Sequence, residues 1–337
     1  MPVGCGRHTA RVVDRNGALV AQADVLTSVE WTRLLDDTST ASVVIQPEGD
    51  CCEALSRVRS WRHDLQIFRD GQGVWEGPIV TPTWRLGAVE IQAVDVLGWL
   101  DRRVPHDDMV FPDTDLVHVA AALIRDGFAP HDPGHLVQIL DESGIRGLRR
   151  YERDVGQTGD HLRALAETGL DYTAVGRRIL LMGEDHCERV GTLTDADFPA
   201  GLEVSEDGAS LATRWVLHGA EEGDIKGEAG GIDPYYGLLE RVSEETSVLD
   251  NGSAAAGARS RLRGAFPAPT FIDTSSETTL SPDASVDVPS LVPGYCVDVT
   301  TTTTCRTIAQ SLKVYGVKVT ESGQGESVRV QLVPAGV

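Results

Sequence analysis

The chain has 337 residues, 41% of them hydrophobic and 5% aromatic, enough for cores built mainly from Val, Leu, Ile and Ala; at roughly 100–200 residues per domain, that length makes two or three domains. Its 51 acidic and 30 basic residues leave a net charge of -21, with the acids dispersed rather than run together. Such a surface repels nucleic acid and anionic membranes, and suits basic partners or a passage along which DNA slides without sticking.

The first hundred residues read as strands. Segments 8–13 and 18–21 flank Asp14-Arg15-Asn16-Gly17, and Asn-Gly is a strong hairpin signal. Strands are expected at 28–34, 40–45, 64–68, 74–81 and 88–94, with a short helix over 51–58. Val89, Ile91 and Ala93 alternate with Glu90, Gln92 and Val94, as in a half-buried strand. Many short strands with Gly-containing turns argue for a sandwich or barrel.

The middle differs. Asp113 or Thr114 caps a helix whose apolar positions Leu116, Val119, Ala120, Leu123 and Ile124 form one stripe, with Gly127 as its stop. A second helix begins near Thr158, buries Leu162, Leu165 and Ala166, and stops at Gly169. Segments 171–175 and 178–182 make a hairpin around Gly176-Arg177. The last third returns to strands at 211–217, 271–273, 295–301, 311–320 and 327–333. It adds a Gly-rich polar surface loop at 224–236 and a helix capped by Ser253 and running to about 266. Residues 77–95 align without a gap on 316–334, with Gly77/Gly316, Val80/Val319, Thr81/Thr320, Val89/Val328, Gln92/Gln331 and Val94/Val333 identical. The expected fold is therefore β-rich, α+β: two related β-barrel domains (1–101 and 201–337) flanking a small α+β domain (102–200). Two copies are too few for a solenoid.

Chemistry-bearing motifs are thin. There is no GxSxG elbow, P-loop, HExxH or dinucleotide fingerprint. His131 and His135 are four apart, but Pro133 and Gly134 argue against the helix that would bring them together on a metal. Glu184-Asp185-His186-Cys187-Glu188 reads as a solvated loop, since adjacent side chains rarely converge on one ion. Asp70, Glu76, Glu90 and Asp95 lie near strand ends; a catalytic carboxylate pair among them is not the default in so acidic a chain. Asn251-Gly252-Ser253 matches a glycosylation sequon and reads better as a turn and helix cap, and 300–304 as ordinary strand or turn. Cys5, Cys51, Cys52, Cys187, Cys296 and Cys305 are scattered and read as reduced thiols, though Cys296 and Cys305 are close enough to face each other across a hairpin. The start carries no apolar signal-peptide core, and no apolar run nears the ~18 residues a bilayer needs. No catalytic, cofactor-binding or metal-binding residue is expected.

Three stretches together resemble minor tail proteins of phages that infect actinobacteria: Glu30-Trp31-Thr32-Arg33-Leu34-Leu35-Asp36-Asp37-Thr38-Ser39-Thr40-Ala41-Ser42-Val43; Trp75-Glu76-Gly77-Pro78-Ile79 with Asp95-Val96-Leu97-Gly98-Trp99-Leu100-Asp101-Arg102-Arg103; and 162–178, LRALAETGLDYTAVGRR. The likeness runs from about residue 8 to the C-terminus and rests on their order and spacing. It implies the baseplate or tail-tip hub of a siphophage tail, related in fold to hubs of contractile injection systems. In such hubs, two barrel domains per subunit in a homotrimer mimic sixfold symmetry, joining the hexameric tube to a threefold tip while letting DNA pass. The implied partners are the distal tail protein, the tape measure and tip or fibre proteins. The implied location is the virion after synthesis in the bacterial cytoplasm, with no sequence-specific nucleic acid and no membrane insertion. A tail-associated wall hydrolase would need a nucleophile or metal pair. A carbohydrate-binding adhesin would need clustered exposed aromatics, and the six Trp are spread between Trp31 and Trp215.

Overall fold

The computed structural model describes residues 3–46, 50–200, 204–206, 208–220, 224–266, 270–272, 277–301 and 308–334. The first third supplies β1 (His8–Asp14), β2 (Leu19–Ala23), β3 (Ser28–Leu34), β4 (Thr40–Ile45), α1 (Asp50–Ser56), β5 (His63–Arg69), β6 (Gln72–Arg85) and β7 (Ala88–Val94). A 3-10 turn at Val96–Arg102 leads to β8 (Met109–Asp115), α2 (Leu116–Phe128), β9 (Leu136–Ile139), β10 (Arg146–Tyr151), α3 (Thr158–Ala166), β11 (Leu170–Val175), β12 (Arg178–Gly183) and β13 (Arg189–Thr194). Then come β14 (Val204–Glu206), β15 (Arg214–His218), β16 (Lys226–Gly230), β17 (Glu240–Glu244), α4 (Asn251–Ala265), β18 (Thr270–Ile272), β19 (Thr278–Thr279), β20 (Cys296–Thr301), β21 (Ile308–Ser322) and β22 (Gly325–Pro334).

Twelve strands form one open sheet in the order β13-β20-β21-β3-β4-β7-β6-β5-β1-β2, with β22 on β21 and β19 on β22. The two ends of the chain meet where β3 pairs antiparallel with β21, Trp31 opposite Val319. Period-2 alternation drives this sheet: in β7 Val89, Ile91 and Ala93 point inward, and in β22 Val328, Val330 and Leu332 do. One core takes residues from both ends, among them Trp31, Ile79 and Ile91 with Val299, Val317 and Val328. Truncating a fully buried residue such as Ile91 to Ala costs about 2–5 kcal/mol. A separate core in the middle third packs α2 and α3 on β11 and β12, and the whole expected stripe of α2 is fully buried.

The sheets are open among the described residues, so closed barrels are not what the strands form. A repeat is nonetheless present at the level of strand order. β4-β7-β6-β5 and β19-β22-β21-β20 are the same four-stranded antiparallel Greek-key arrangement, taken in the same chain order. The ungapped sequence match is out of register with it. The β6–β7 turn falls at Leu86-Gly87, which the match places on Gly325-Glu326, whereas the β21–β22 turn is at Gly323-Gln324.

Several local expectations shift. Asp115, not Asp113 or Thr114, caps α2, its carboxylate accepting from the Val117 N–H at 3.1 Å. Asp250, not Ser253, caps α4, accepting from the Ser253 N–H at 2.8 Å. The supposed loop at 224–236 contains β16: a Cβ on Gly227 would lie 2.0 Å from the Ala254 backbone, so glycine there permits close packing under α4. Asp273, Thr302, Thr303, Thr304 and Cys305 lie outside the described residues.

Candidate assembly interface

Among the described residues no three His, Cys, Asp or Glu side chains converge in a way that would hold a metal. His131 meets the Arg15 guanidinium through Nε2 at 3.0 Å, while His135 faces Asp132 at 2.7 Å and packs on Phe128. The four strand-end carboxylates have separate partners. Asp70 sits in the β5–β6 turn and accepts from the Arg7 N–H, Glu76 binds Arg177 at 2.8 Å, and Glu90 binds Arg85 at 3.0 Å. Asp95 is buried, accepting from the Ser39 and Leu97 N–H groups at 2.9 Å each. Burial pushes its carboxyl up to about 7 against the pull of those N–H groups.

The 184–188 stretch is a tie rather than a solvated loop. Glu184 accepts from the Ser260 hydroxyl of α4 and binds Arg263 at 2.7 Å, with Asp185 on the same guanidinium at 2.6 Å. Cys187 is disulfide-bonded to Cys296, correcting the reduced-thiol expectation for this pair. The reason is topological: β13 runs parallel to β20 with Arg189 beside Cys296, which carries Cys187 to it across 109 residues of sequence.

Buried polar groups join the thirds of the chain. Asp36, in a left-handed turn after β3, accepts from the Tyr172 N–H at 2.9 Å, and the Tyr172 hydroxyl donates back to the Asp36 carbonyl at 2.7 Å. Beside them the Lys313 ammonium binds Asp171 at 2.6 Å and donates to the Glu184 carbonyl. Burial, and then the Asp171 charge, holds the Asp36 carboxyl well above its usual range. Arg33, 2% exposed, donates to the carbonyls of Val74, Pro289 and Leu291 at 2.7–3.1 Å. Burial and the neighbouring Arg178 lower it to about 10, still charged at neutral pH. Glu326 of β22 binds Arg69 of β5 at 2.7 Å and accepts from the Gly4 and Gly6 N–H groups. In the two ion pairs, Lys313–Asp171 and Arg69–Glu326, removing one partner would strand the other's charge in the interior, so these contacts are costly to break.

The surface carries two apolar projections that sequence reading missed. At the β6–β7 tip Leu86 is fully exposed and Trp84 is 48% exposed, beside a cavity of about 550 Å³ lined by Val58, Arg59 and Pro82. In the segment before β17, Ile232, Tyr235 and Leu238 stand out into solvent, Tyr235 at 87%. Grouped apolar side chains of this kind mark contact surfaces. The available signals were a Trp and a Leu at a hairpin turn and the run Tyr235-Tyr236-Gly237-Leu238-Leu239 in a segment otherwise read as polar. No helix among the described residues is long and apolar enough to cross a membrane.

No protein-family model and no curated protein matches the chain. Solved structures do. A tail protein from Neisseria meningitidis MC58 superposes with a TM-score of 0.68 at 14% identity, covering 99% of this chain and 98% of that one. The 43 kDa tail protein of prophage MuSo2 from Shewanella oneidensis gives 0.66 at 13% identity, with 98% of each chain covered. An E. coli component of the type VI secretion system, described as structurally similar to the T4 bacteriophage tail proteins gp27 and gp5, gives 0.54 at 11% identity, covering 92% of this chain and 73% of that one. The chain has the fold of these tail proteins over nearly its whole length.

Proposed function

We propose that the chain is a structural protein of a phage tail: the hub that joins the hexameric tube end to a threefold tip and lets DNA pass. The observation that carries this is the end-to-end match of fold with the Neisseria tail protein, 99% of this chain on 98% of that one. The repeated Greek-key order supports the hub in particular. Two related β units per chain, in a homotrimer, offer six similar faces to a sixfold ring and three to a threefold one. The related units are 1–101 and 201–337, with 102–200 between them. The strand ladder β3–β21 and the buried Arg69–Glu326 pair hold the two in one body, as a load-transmitting ring requires.

Three chains carry three times -21, or -63. Part of that charge facing the lumen repels DNA phosphates, so the genome slides rather than adheres. The partners are neighbouring tail proteins: the distal tail protein, the tape measure and tip or fibre proteins, which meet the exposed apolar projections. The same charge disfavours self-association of the free chain at low salt, and the ring is completed on the tail. Antibody labelling of intact particles tests the role: label at the distal end of the tube is expected, and label on the capsid or along the whole tube would overturn it.

A further inference from the structure

A positive face sits on this acidic body where the β1–β2 turn, the segment after α1 and the 3-10 turn Val96–Arg102 meet. Trp61 and Trp99 pack edge to face with ring centroids 4.8 Å apart. Three guanidinium groups cover them: Arg15 at 5.3 Å and Arg103 at 5.9 Å from the Trp99 ring, and Arg102 at 5.3 Å from Trp61. Trp61 is held at a φ of 58°, a left-handed conformation that costs a bulky residue about 1–2 kcal/mol. Arg15 donates to the Trp61 carbonyl at 2.8 Å, and Arg103 to the His131 carbonyl at 3.1 Å. Arg62 and Arg15, with His131, line a recess of about 300 Å³.

The acids at this recess are used up locally. Asp14 accepts from the Asn16 and Ala18 N–H groups at 2.9 Å each, and Asp132 from the Gly134 and His135 N–H groups and the His135 ring. Among the described residues Arg15, Arg59, Arg62, Arg102 and Arg103 form no ion pair with a carboxylate. Nearby His63 is held below its usual pKa by burial first and then by Arg62 and Arg59, with Asp14 opposing, which fits a locally positive field.

We propose that this arginine–tryptophan face docks a carboxylate-rich segment of a neighbouring protein. That the neighbour is a tail protein rests on the function proposed above. Guanidinium groups ordered on indole rings are pre-organised for bidentate contact with carboxylates. Nucleic acid is disfavoured twice over: arginines already stack on both indole rings, leaving less ring face for bases, and the net charge of -21 repels phosphates at range.

The test uses the full chain and a short oligoglutamate peptide, followed by tryptophan fluorescence, with an oligodeoxynucleotide of equal charge as competitor. The peptide is expected to bind, to weaken as salt rises, and to bind at least ~10-fold more tightly than the oligonucleotide. Arg62→Glu, at a residue with no ring contact among those described, is expected to weaken the peptide by ~10-fold or more, the equivalent of one charge-assisted hydrogen bond. Arg15→Ala with Arg102→Ala should do the same. An absence of peptide binding at low salt, an Arg62→Glu variant that binds as well as wild type, or tighter binding of the oligonucleotide would each overturn the proposal. So would self-association abolished by Arg62→Glu, which would make the occupant a second copy. Peptide binding by a chain that antibodies do not find on the tail would sink the tail role and leave this face standing.

Discussion

Replacing Glu326 by Gln perturbs the point where the two ends of the chain are locked. The Glu326 side chain is 0% exposed and Arg69 3%. One carboxylate accepts from Arg69 Nε at 2.7 Å and Nη2 at 2.8 Å, and from the Gly4 and Gly6 N–H groups at 2.9 and 3.0 Å. Burial alone would raise its pKa. The hydrogen bonds from Arg69 and the Gly6 N–H, with the charges of Arg69 and His8, outweigh burial and hold it below the usual value. A depressed folded-state pKa means stability that is present above the unfolded value of about 4.5 and is lost as pH falls through the folded one. Gln keeps the shape but loses the charge, leaving Arg69 with Asp70 at 3.5 Å. The expected cost is therefore near the lower end of the range for breaking a buried pair, about 3 kcal/mol. At roughly 2–4 °C per kcal/mol, Tm falls by about 6–12 °C in circular-dichroism melts at pH 7. The difference shrinks as pH falls through the depressed folded-state value, where wild-type Glu326 is itself protonated. Glu326→Gln with Arg69→Met should melt above Glu326→Gln alone, because the guanidinium is then no longer stranded while the Gln oxygen can still accept from the Gly4 and Gly6 N–H groups. A Tm for Glu326→Gln within ~1 °C of wild type at pH 7 would refute the reasoning.

Gly77→Ala should destabilise by about 3 kcal/mol or more in urea unfolding, because the new Cβ would sit 1.9 Å from the Val94 carbonyl oxygen. Gly316→Ala, whose nearest contact is 3.4 Å, should stay within ~1 kcal/mol of wild type; equal effects at the two would mean that they are equivalent after all. Cys187 and Cys296, 109 residues apart, should appear as one linked peptide on non-reducing digestion, and reductant should lower Tm; loop closure on that scale is worth about 4–5 kcal/mol. Free thiols at both positions in air-oxidised protein would contradict this. Asp95 has a folded-state carboxyl raised from 3.8 to about 7. A raised acid favours the protonated folded form, so its contribution is full at low pH and falls as pH rises through that window. Asp95→Asn should flatten the slope of Tm with pH there, and an unchanged slope would show Asp95 ionised throughout.

What the sequence made legible was whatever rests on local period and turn chemistry. The stripe of α2, the alternation in β7 and β22, and the hairpins β1–β2 and β11–β12 were all readable. Pairings between distant segments were not. Nothing in the letters near Trp31 says that β3 lies beside β21, nor that Cys187 reaches Cys296, because both follow from the path of the whole chain. The repeat shows in the letters as two similar hairpins, but the ungapped match does not carry the pairing register. A match of Gly, Val and Thr letters reports strand composition, and the turn at Gly323-Gln324 sets the pairing. Gly227 lies in a Gly-rich polar segment whose composition points to a loop, whereas in the fold it marks close packing under α4. The arginine–tryptophan face was hidden for a related reason. Arg15, Trp61, Trp99 and Arg102 come from three separate segments, and a net charge of -21 masks a local excess of the opposite sign.

The most direct measurement is a cryo-microscopy map of intact tails, with the chain fitted into density at the tube end. Three copies around the axis are expected, each presenting its β4–β7 and β19–β22 units towards the sixfold ring and an acidic surface to the lumen. Six copies per ring, or a lumen lined by Lys and Arg from this chain, would contradict it.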